Sequence, residues 1–174
     1  ENTGFQRGIF DETGGWPHQL YVREARRMKS DYIVTQKDLE GAASPEDSVG
    51  LGSYGVDDWP YATIAHEGGI ALSGGEFSIM KANPAHSGIH RLPYRAIRPK
   101  QSECENLLVP VCCSATHIAY CSLRMEPQFM ILGHAAGDIA AATVRAGGAV
   151  QDVDLPALHA QLAREGALLR NAAQ

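Results

Sequence analysis

The sequence has few of the features that attract nucleic acid or a membrane. Its 174 residues carry a formal net charge of −5, with 15 Lys and Arg against 20 Asp and Glu, and the basic clusters are short. The first residues show no cationic segment followed by an apolar one, so we expect neither a signal peptide nor a transmembrane segment there. Electrostatic capture of nucleic acid or of an anionic membrane is therefore not expected.

The opening residues and the composition bear on the extent of the folded unit. The chain starts with ENTGFQRGIFDETGG and not with Met, and we expect it to be the interior of a longer polypeptide. With 44% hydrophobic residues, it has enough apolar side chains for a real core. This size favours one domain, or two small ones that share a core.

The cysteines lack the spacing of a metal site. All four lie within eighteen positions, and no pair has the CxxC spacing that is typical of zinc ligands. Successive residues of a strand point to opposite faces, so Cys112 and Cys113 are not expected to line one site. We interpret Cys104, Cys112, Cys113 and Cys121 as free buried thiols, and we predict no metal site.

The first third of the chain contains helix, strand and loop patterns. After Pro17, a residue suited to the start of a helix, HQLYVREARRMKSDY has apolar residues near helical spacing with cations between them. Those cations form either a solvated face or a site for an anionic substrate. YIVTQ then predicts a short strand, and KDLEGAASPEDS predicts a polar loop.

A glycine-rich segment follows, with Gly50, Gly52 and Gly55 inside a weak strand pattern. Such glycines indicate close backbone approach, a bulge or a turn. The spacing is not interpreted as a nucleotide-binding fingerprint, because it lacks a strand before it and a helix after it. The polar residues in or just after the segment, Tyr54, Asp57 and Asp58, are either turn formers, which is the favoured interpretation, or site residues.

The middle of the chain is less informative. Residues 71–90 are rich in Gly, Ser, Asn, Pro and His, which predicts a loop or a hairpin tip. HRLPYRAIRPK alternates apolar and basic residues, which predicts an edge strand bounded by Pro93 and Pro99. The cations of this strand are expected to face solvent.

Residues 103–148 carry the strongest pattern. The apolar run 107–113 predicts a buried strand, a polar turn with His117 follows, and then comes a long helix. Glu126 and Pro127 suit its first turn, and Gly147 with Gly148 suits its end. A strand that leads into a close-packed helix is typical of half a nucleotide-binding layer.

Two faces are predicted for this helix. One is small, with two glycines that each cost about 1 kcal/mol relative to alanine, so it should gain from close packing of a backbone or a flat ligand. Its members are Gly133, Ala136, Gly137 and Ala140, whereas the buried stripe comprises Phe129, Leu132, Ala136, Ile139, Ala140 and Thr143. The tail DLPALHAQLAREGALL predicts a capped amphipathic helix with Leu155, Leu158 and Leu162 inward and Gly166 near its end.

Several of these segments resemble a known family in the expected order. They are GWPHQLYVREARRMKSDYIVTQKD, VGLGSYGVD, LPYRAIRPK, ECENLLVPVCCSATHIAYCSLRMEPQFMILGHAAGDIAA and DLPALHAQLAREGALL. The chain is similar over nearly its whole length to the C-terminal part of the bacterial FAD-dependent oxidoreductases. Some relatives have been labelled xanthan lyase, a name that the flavin motifs do not support.

The resemblance implies an α/β (α+β mix) fold in two parts. It would be the C-terminal part of a glutathione-reductase-type FAD-binding oxidoreductase, with a β-rich substrate domain and the returning strand and helix of the FAD domain. Residues 1–100 would belong mainly to the substrate domain, 101–150 to the FAD domain and 151–174 to a C-terminal helix.

The resemblance also implies which residues touch FAD. The long helix would aim its N-terminus at the flavin, where unpaired N–H groups and the helix dipole stabilise negative charge near N1 and C2=O. Arg124, Met125, Glu126 and Pro127 would make that contact, and Ser114 and Ala115 would line the approach.

The chain also departs from the family pattern. The glycine fingerprint that would hold the pyrophosphate is absent, so the isolated chain is expected to be inactive and to bind FAD only with the N-terminal portion of the same protein. An Asp-x-His after the Ser-Tyr pair is replaced by Asp57-Asp58-Trp59, which puts the activity or the substrate class in doubt.

A flavin dehydrogenase needs a group that handles the substrate proton. His117 is the first candidate for this role and Tyr120 the second, whereas Arg23, Tyr54 and Arg95 are candidates for binding a small-molecule or carbohydrate substrate. Two alternatives stay open: a non-catalytic binding or interaction domain, and a polysaccharide lyase.

Overall fold

The structure, a computed structural model, describes residues 8, 10–18, 24–57, 60–74 and 88–170. Its helices are α1 (Gln36–Leu39), α2 (His117–Leu123), α3 (Glu126–Ala146) and α4 (Leu155–Arg164), and its strands are β1 (Ser48–Gly52), β2 (Pro60–His66), β3 (Gly69–Gly74) and β4 (His90–Pro93). Short 3₁₀ helices cover Asp11–Thr13, Tyr94–Ile97 and Val150–Asp152. This mixture of helices and small sheets agrees with the expected α/β class.

The four strands form two antiparallel pairs within the described residues. β1 pairs with β4 and β2 pairs with β3. The β1–β4 register shifts between Ser48 and Leu51, which is the irregularity that the glycines predicted. At Gly50, β1 and α3 lie very close together, since a Cβ atom added to this residue would lie 2.2 Å from Cγ2 of Ile131 on α3. Glycine therefore lets β1 lie directly against α3.

The long helix α3 organises the core. It begins at Glu126, has Pro127 in its first turn and ends at Gly147, whose φ of 71° is left-handed and suits glycine. Its buried stripe is confirmed at Leu132, Ala136 and Ile139, with Phe129 and Thr143 half-buried, whereas Ala140 is exposed. α3 packs against β1, against α4 and against the 3₁₀ helix Val150–Asp152.

The predicted last helix is also confirmed as α4. The Asp154 side chain caps it by accepting a hydrogen bond from the Ala157 N–H at 3.0 Å. Leu158 and Leu162 are buried, and Leu155 packs against the same core. A left-handed Gly166 follows the helix with φ of 88°.

The helix predicted between residues 18 and 32 is wrong over its described part. Residues 24–32 contain no helix, and two of their backbone N–H groups donate to a distant segment. The Met28 N–H donates to the Cys112 carbonyl at 2.9 Å, and the Ser30 N–H donates to Oγ of Ser114 at 3.1 Å. These long-range bonds replace the intrahelical ones that the apolar spacing alone would favour.

The buried strand predicted at 107–113 is also wrong. The segment is irregular, and Leu107 and Val111 are each 46% exposed. Its bonds go to scattered partners and not to a neighbouring strand, as when the Val109 N–H donates to the Ile97 carbonyl at 2.7 Å. The strand predicted from YIVTQ is reduced to a single parallel bridge between Val34 and Ala115.

Two further predictions need correction. The polar loop predicted after the YIVTQ segment includes most of the helix α1. Thr35 and Asp38 form a capping box at the N-terminus of this helix. The strand β4 ends at Pro93, and the following residues, where an edge strand was predicted to continue to Pro99, form a 3₁₀ helix. The hairpin-tip prediction covers Ala71, which lies in β3, but residues 75–87 fall outside the described part of the chain.

The four cysteines are free thiols, but they are not all buried. Cys113 and Cys121 are buried, Cys104 is partly buried and Cys112 is exposed. The opposite exposure of Cys112 and Cys113 agrees with the prediction that they do not line one site. Within the described residues, no helix is both long enough and apolar enough to cross a membrane.

Candidate functional site

The sharp corner between α2 and α3 lies beside the glycine-rich segment. At the end of α2, the Ser122 hydroxyl donates to the Tyr54 carbonyl at 2.6 Å. The Asp57 N–H reaches the Cys121 carbonyl at 3.4 Å. Residues 54–57 are therefore held against the end of α2 and next to the start of α3. We call residues 124–127 with Asp57 the α2–α3 corner.

Arg124 is the charged centre of the α2–α3 corner. Its side chain is only 6% exposed, and Nη2 donates to the Asp57 carbonyl at 3.0 Å and to the Asp57 carboxylate at 2.8 Å. Its Nε atom is buried and has no hydrogen-bond partner in the described part of the chain. A buried polar atom of this kind is costly to leave unpaired, which marks the corner as a place where a further polar group fits.

The first turn of α3 reaches the surface at this corner. Met125 precedes it with extended backbone angles and supplies no side-chain cap, and Glu126 and Pro127 are exposed. The positive end of the helix dipole is therefore not neutralised by a capping side chain from the N-cap residue. The N–H groups of this turn would stabilise a polar or negatively charged ligand, and the Glu126 carboxylate in the same turn would offset part of that effect.

Ser114 and Ala115 lie in a different setting from the α2–α3 corner. Ser114 is fully buried, and its N–H donates to the Ala96 carbonyl at 2.8 Å. The Ala115 carbonyl accepts a hydrogen bond from Nε of Arg27 at 2.9 Å. Protein partners thus already occupy these polar groups, and a contact of either residue with a cofactor stays a prediction.

His117, the first residue of α2, joins a short chain of polar side chains. Its Nδ1 atom lies 2.7 Å from Oε2 of Glu24, and its Nε2 atom lies 4.0 Å from Sγ of Cys121. Glu24 also pairs with Arg27. An Nδ1–H that donates to a carboxylate leaves Nε2 as the basic nitrogen, which is the arrangement of an oriented general base.

Tyr120 is less suited to act as a base. It is buried, and its hydroxyl donates to the Val111 carbonyl at 3.0 Å. Burial, followed by the nearby Cys113 and Cys112 thiols, raises the pKa of Tyr120 to about 12. The hydroxyl therefore stays protonated near neutral pH, and a phenolate base is not formed there.

The two groups of site residues lie at opposite ends of α2. His117 begins the helix, and Arg124 follows its last residue. A seven-residue helix is about 10 Å long. His117 and the first turn of α3 thus lie at the two ends of this helix.

The predicted substrate-binding residues are not brought together. Arg95 forms an ion pair with Asp47 and lies over the Tyr32 ring, 4.6 Å from its centroid. Tyr54 is 42% exposed beside the α2–α3 corner. Arg23 lies outside the described residues. Of the two that the structure describes, Tyr54 is the one that lies next to the corner.

Two residues that pair with the candidate site residues, Glu24 and Asp57, were not predicted as their partners from the sequence. Glu24 lies in the segment HQLYVREARRMKSDY but was assigned no role from the sequence, and Asp57 was interpreted only as a turn former or an unspecified site residue. They lie 93 and 67 positions away from His117 and Arg124, respectively. The only available signal for Asp57 was its place in the segment where the chain departs from the family pattern.

Comparison with models of known protein families gives a match over most of the chain. A family model described as FAD dependent oxidoreductase matches residues 1–162. No curated protein and no solved structure matches the chain. The matched region includes α2, α3 and most of α4, and hence the α2–α3 corner and His117.

Proposed function

Because the chain belongs to the FAD dependent oxidoreductase family, which binds FAD, we propose that its α2–α3 corner forms the flavin-facing part of the FAD site. The enzyme would transfer a hydride between a small organic molecule and the flavin. The match confirms the prediction from the sequence that the chain belongs to the FAD-dependent oxidoreductases. The observation that carries the proposal for the site is the surface-reaching, uncapped first turn of α3 next to Arg124.

The residues of the corner fit the polar edge of a flavin ring. The carbonyl groups of that edge would accept hydrogen bonds from the backbone N–H groups of a helix start and from a guanidinium N–H. Nε of Arg124 is buried and unpaired among the described residues, whereas Nη2 of the same planar guanidinium is held by Asp57. Glu126 and Pro127 are exposed and leave room for a flat group.

In the proposed mechanism, bound FAD supplies a two-electron acceptor or donor for the substrate. The contribution of this chain is orientation and proton transfer. Arg124 and the first turn of α3 orient the flavin edge, since their positive ends favour negative charge there. Glu24 holds His117 with its Nε2 atom basic, so that this nitrogen takes a proton from a substrate hydroxyl or amine.

The site as proposed needs a phosphate-binding part from other residues. The one glycine-rich run, at 50–55, lies in and after β1 and leads into no helix, so it does not provide a pyrophosphate cradle. We place the pyrophosphate and adenosine contacts in the N-terminal portion of the full-length protein. The substrate would be a small molecule or a carbohydrate bound between that portion and α2.

The visible absorption spectrum of the full-length protein is the first test of this function. The purified protein should show the two bands of oxidised flavin, and denaturation should release FAD in a one-to-one ratio with the chain. The isolated 174-residue chain serves as the comparison and should retain little flavin. A full-length protein that shows no flavin bands, even after incubation with FAD, would instead identify a non-catalytic binding domain.

A further inference from the structure

A second group of ligand-type side chains lies away from the α2–α3 corner, where α3 meets the end of α4. His134 and Asp138 are separated by four positions on α3, so they project from the same face of this helix. Glu165 directly follows the last residue of α4. The three side chains thus come from two helices that pack against each other.

The donor atoms of these side chains converge on one point. Nε2 of His134 lies 2.5 Å from Oε2 of Glu165 and 3.9 Å from Oδ2 of Asp138. One ligand atom of each residue lies within 4.8 Å of those of the other two. Ligands about 2 Å from a metal ion lie roughly 3 to 3.5 Å from one another. Small rotations of the side chains would give this spacing.

The cluster contains two carboxylates and one imidazole, which can offer a single proton on Nε2. Oδ2 of Asp138 is buried and has no hydrogen-bond partner among the residues that the structure describes. The Asp138 and Glu165 carboxylates also lie close to each other. A cation between the three groups would pair the unsatisfied oxygen and relieve the repulsion between the carboxylates.

The surroundings of the cluster support its use as a ligand set. The Gln161 amide donates to the other carboxylate oxygen of Glu165, which orients Oε2 toward His134. The His134 side chain is 47% exposed and that of Asp138 is 24% exposed. An ion can therefore enter from solvent and keep water in its remaining coordination positions.

We propose that His134, Asp138 and Glu165 bind one divalent transition-metal ion that fastens the end of α4 to α3. An imidazole with two carboxylates suits Zn²⁺ and its first-row neighbours, whereas Mg²⁺ and Ca²⁺ prefer oxygen ligands alone. The bound ion stabilises the folded chain by linkage, since the three ligands come together only after α3 and α4 have packed. This proposal does not depend on the flavin.

Calorimetric titration of tag-free, chelator-treated full-length protein with Zn²⁺ tests this site. We expect one equivalent to bind and to raise the thermal unfolding temperature, with Mg²⁺ much weaker. His134→Ala and the size-conserving Asp138→Asn should each weaken Zn²⁺ binding by at least about tenfold. His66→Ala, at an exposed hairpin histidine, is the matched control and should leave it unchanged.

Co²⁺ in place of Zn²⁺ identifies the ligands. Because the proposed set contains no sulfur, bound Co²⁺ should show weak visible bands and no intense thiolate band. A thiolate band would move the site to a cysteine and overturn the proposal. Failure of Zn²⁺ to bind the wild-type protein would overturn it as well, and so would equal binding by the wild type and Asp138→Asn.

Discussion

Replacing His117 with alanine is expected to slow substrate-dependent reduction of the bound flavin by about a hundredfold or more, while the FAD content stays unchanged. The imidazole is held by Glu24 at 2.7 Å, and its Nε2 atom is the proposed proton acceptor. It lies at the opposite end of α2 from the proposed flavin contact, so its loss should spare FAD binding. Anaerobic stopped-flow absorbance of the full-length protein measures this rate.

Two further variants separate a catalytic role from a structural one. Glu24→Gln keeps the size of the side chain but removes the charge that fixes the His117 tautomer, and should slow the same step by about tenfold. His66→Ala removes a histidine from an exposed hairpin and should have no effect. If His117→Ala reduces the flavin at the wild-type rate, His117 is not the base.

Replacing Asp47 with asparagine is expected to lower the free energy of unfolding by about 2 kcal/mol at neutral pH. The Asp47 side chain is 7% exposed and accepts hydrogen bonds from the backbone N–H, Nε and Nη2 of Arg95 at 2.9, 2.9 and 3.1 Å. The loss in free energy of unfolding is limited because the Arg95 side chain is 38% exposed and remains partly solvated in the variant. Urea denaturation gives the difference.

The effect of Asp47→Asn should depend on pH in one direction. Burial would raise the pKa of Asp47, but the hydrogen bonds from Arg95 outweigh it and hold the pKa below its ordinary value. A carboxyl with a lowered folded pKa stabilises the protein above its unfolded pKa, about 3.9, and loses this contribution as the pH falls through the folded value. The difference between wild type and variant should therefore shrink only below about pH 4.

Asp31 provides the matched control for Asp47. It pairs with Arg98 at 3.2 Å, but its side chain is 46% exposed. Asp31→Asn should lower the free energy of unfolding by less than Asp47→Asn does, because the Asp31 carboxylate is already partly solvated in the folded protein. Equal losses for Asp47→Asn and Asp31→Asn would contradict the role assigned to the buried carboxylate.

Local signals in the sequence were sufficient to predict the two long helices, α3 and α4. For α3, the acid and proline of the first turn and the glycine after the last turn predicted both ends correctly. For α4, the leucine spacing and the capping Asp154 did the same. In both helices the hydrogen bonds are made within the segment, so a local pattern contains most of the information.

Local signals failed where the backbone bonds are long-range. Residues 24–32 have helical apolar spacing, but the bond from Ser30 to Ser114 spans 84 positions. The apolar run that contains Leu107 and Val111 has strand composition but no strand beside it in the described residues. The resemblance to a family predicted a flavin contact at residues 124–127, which stays a prediction, whereas the pairing of Arg124 with Asp57 required the fold.

If the first turn of α3 faces the flavin, as we propose, a change of charge in this turn should shift the midpoint potential of bound FAD. Glu126 is exposed in that turn, so Glu126→Gln removes a negative charge without disturbing the core. Reduction places negative charge on the flavin ring, and the potential of the variant should therefore rise by roughly 20 mV or more above that of the wild type. Glu103→Gln, at an exposed turn remote along the chain, should leave it unchanged. An unchanged potential in Glu126→Gln, or an equal shift in both variants, would contradict the account.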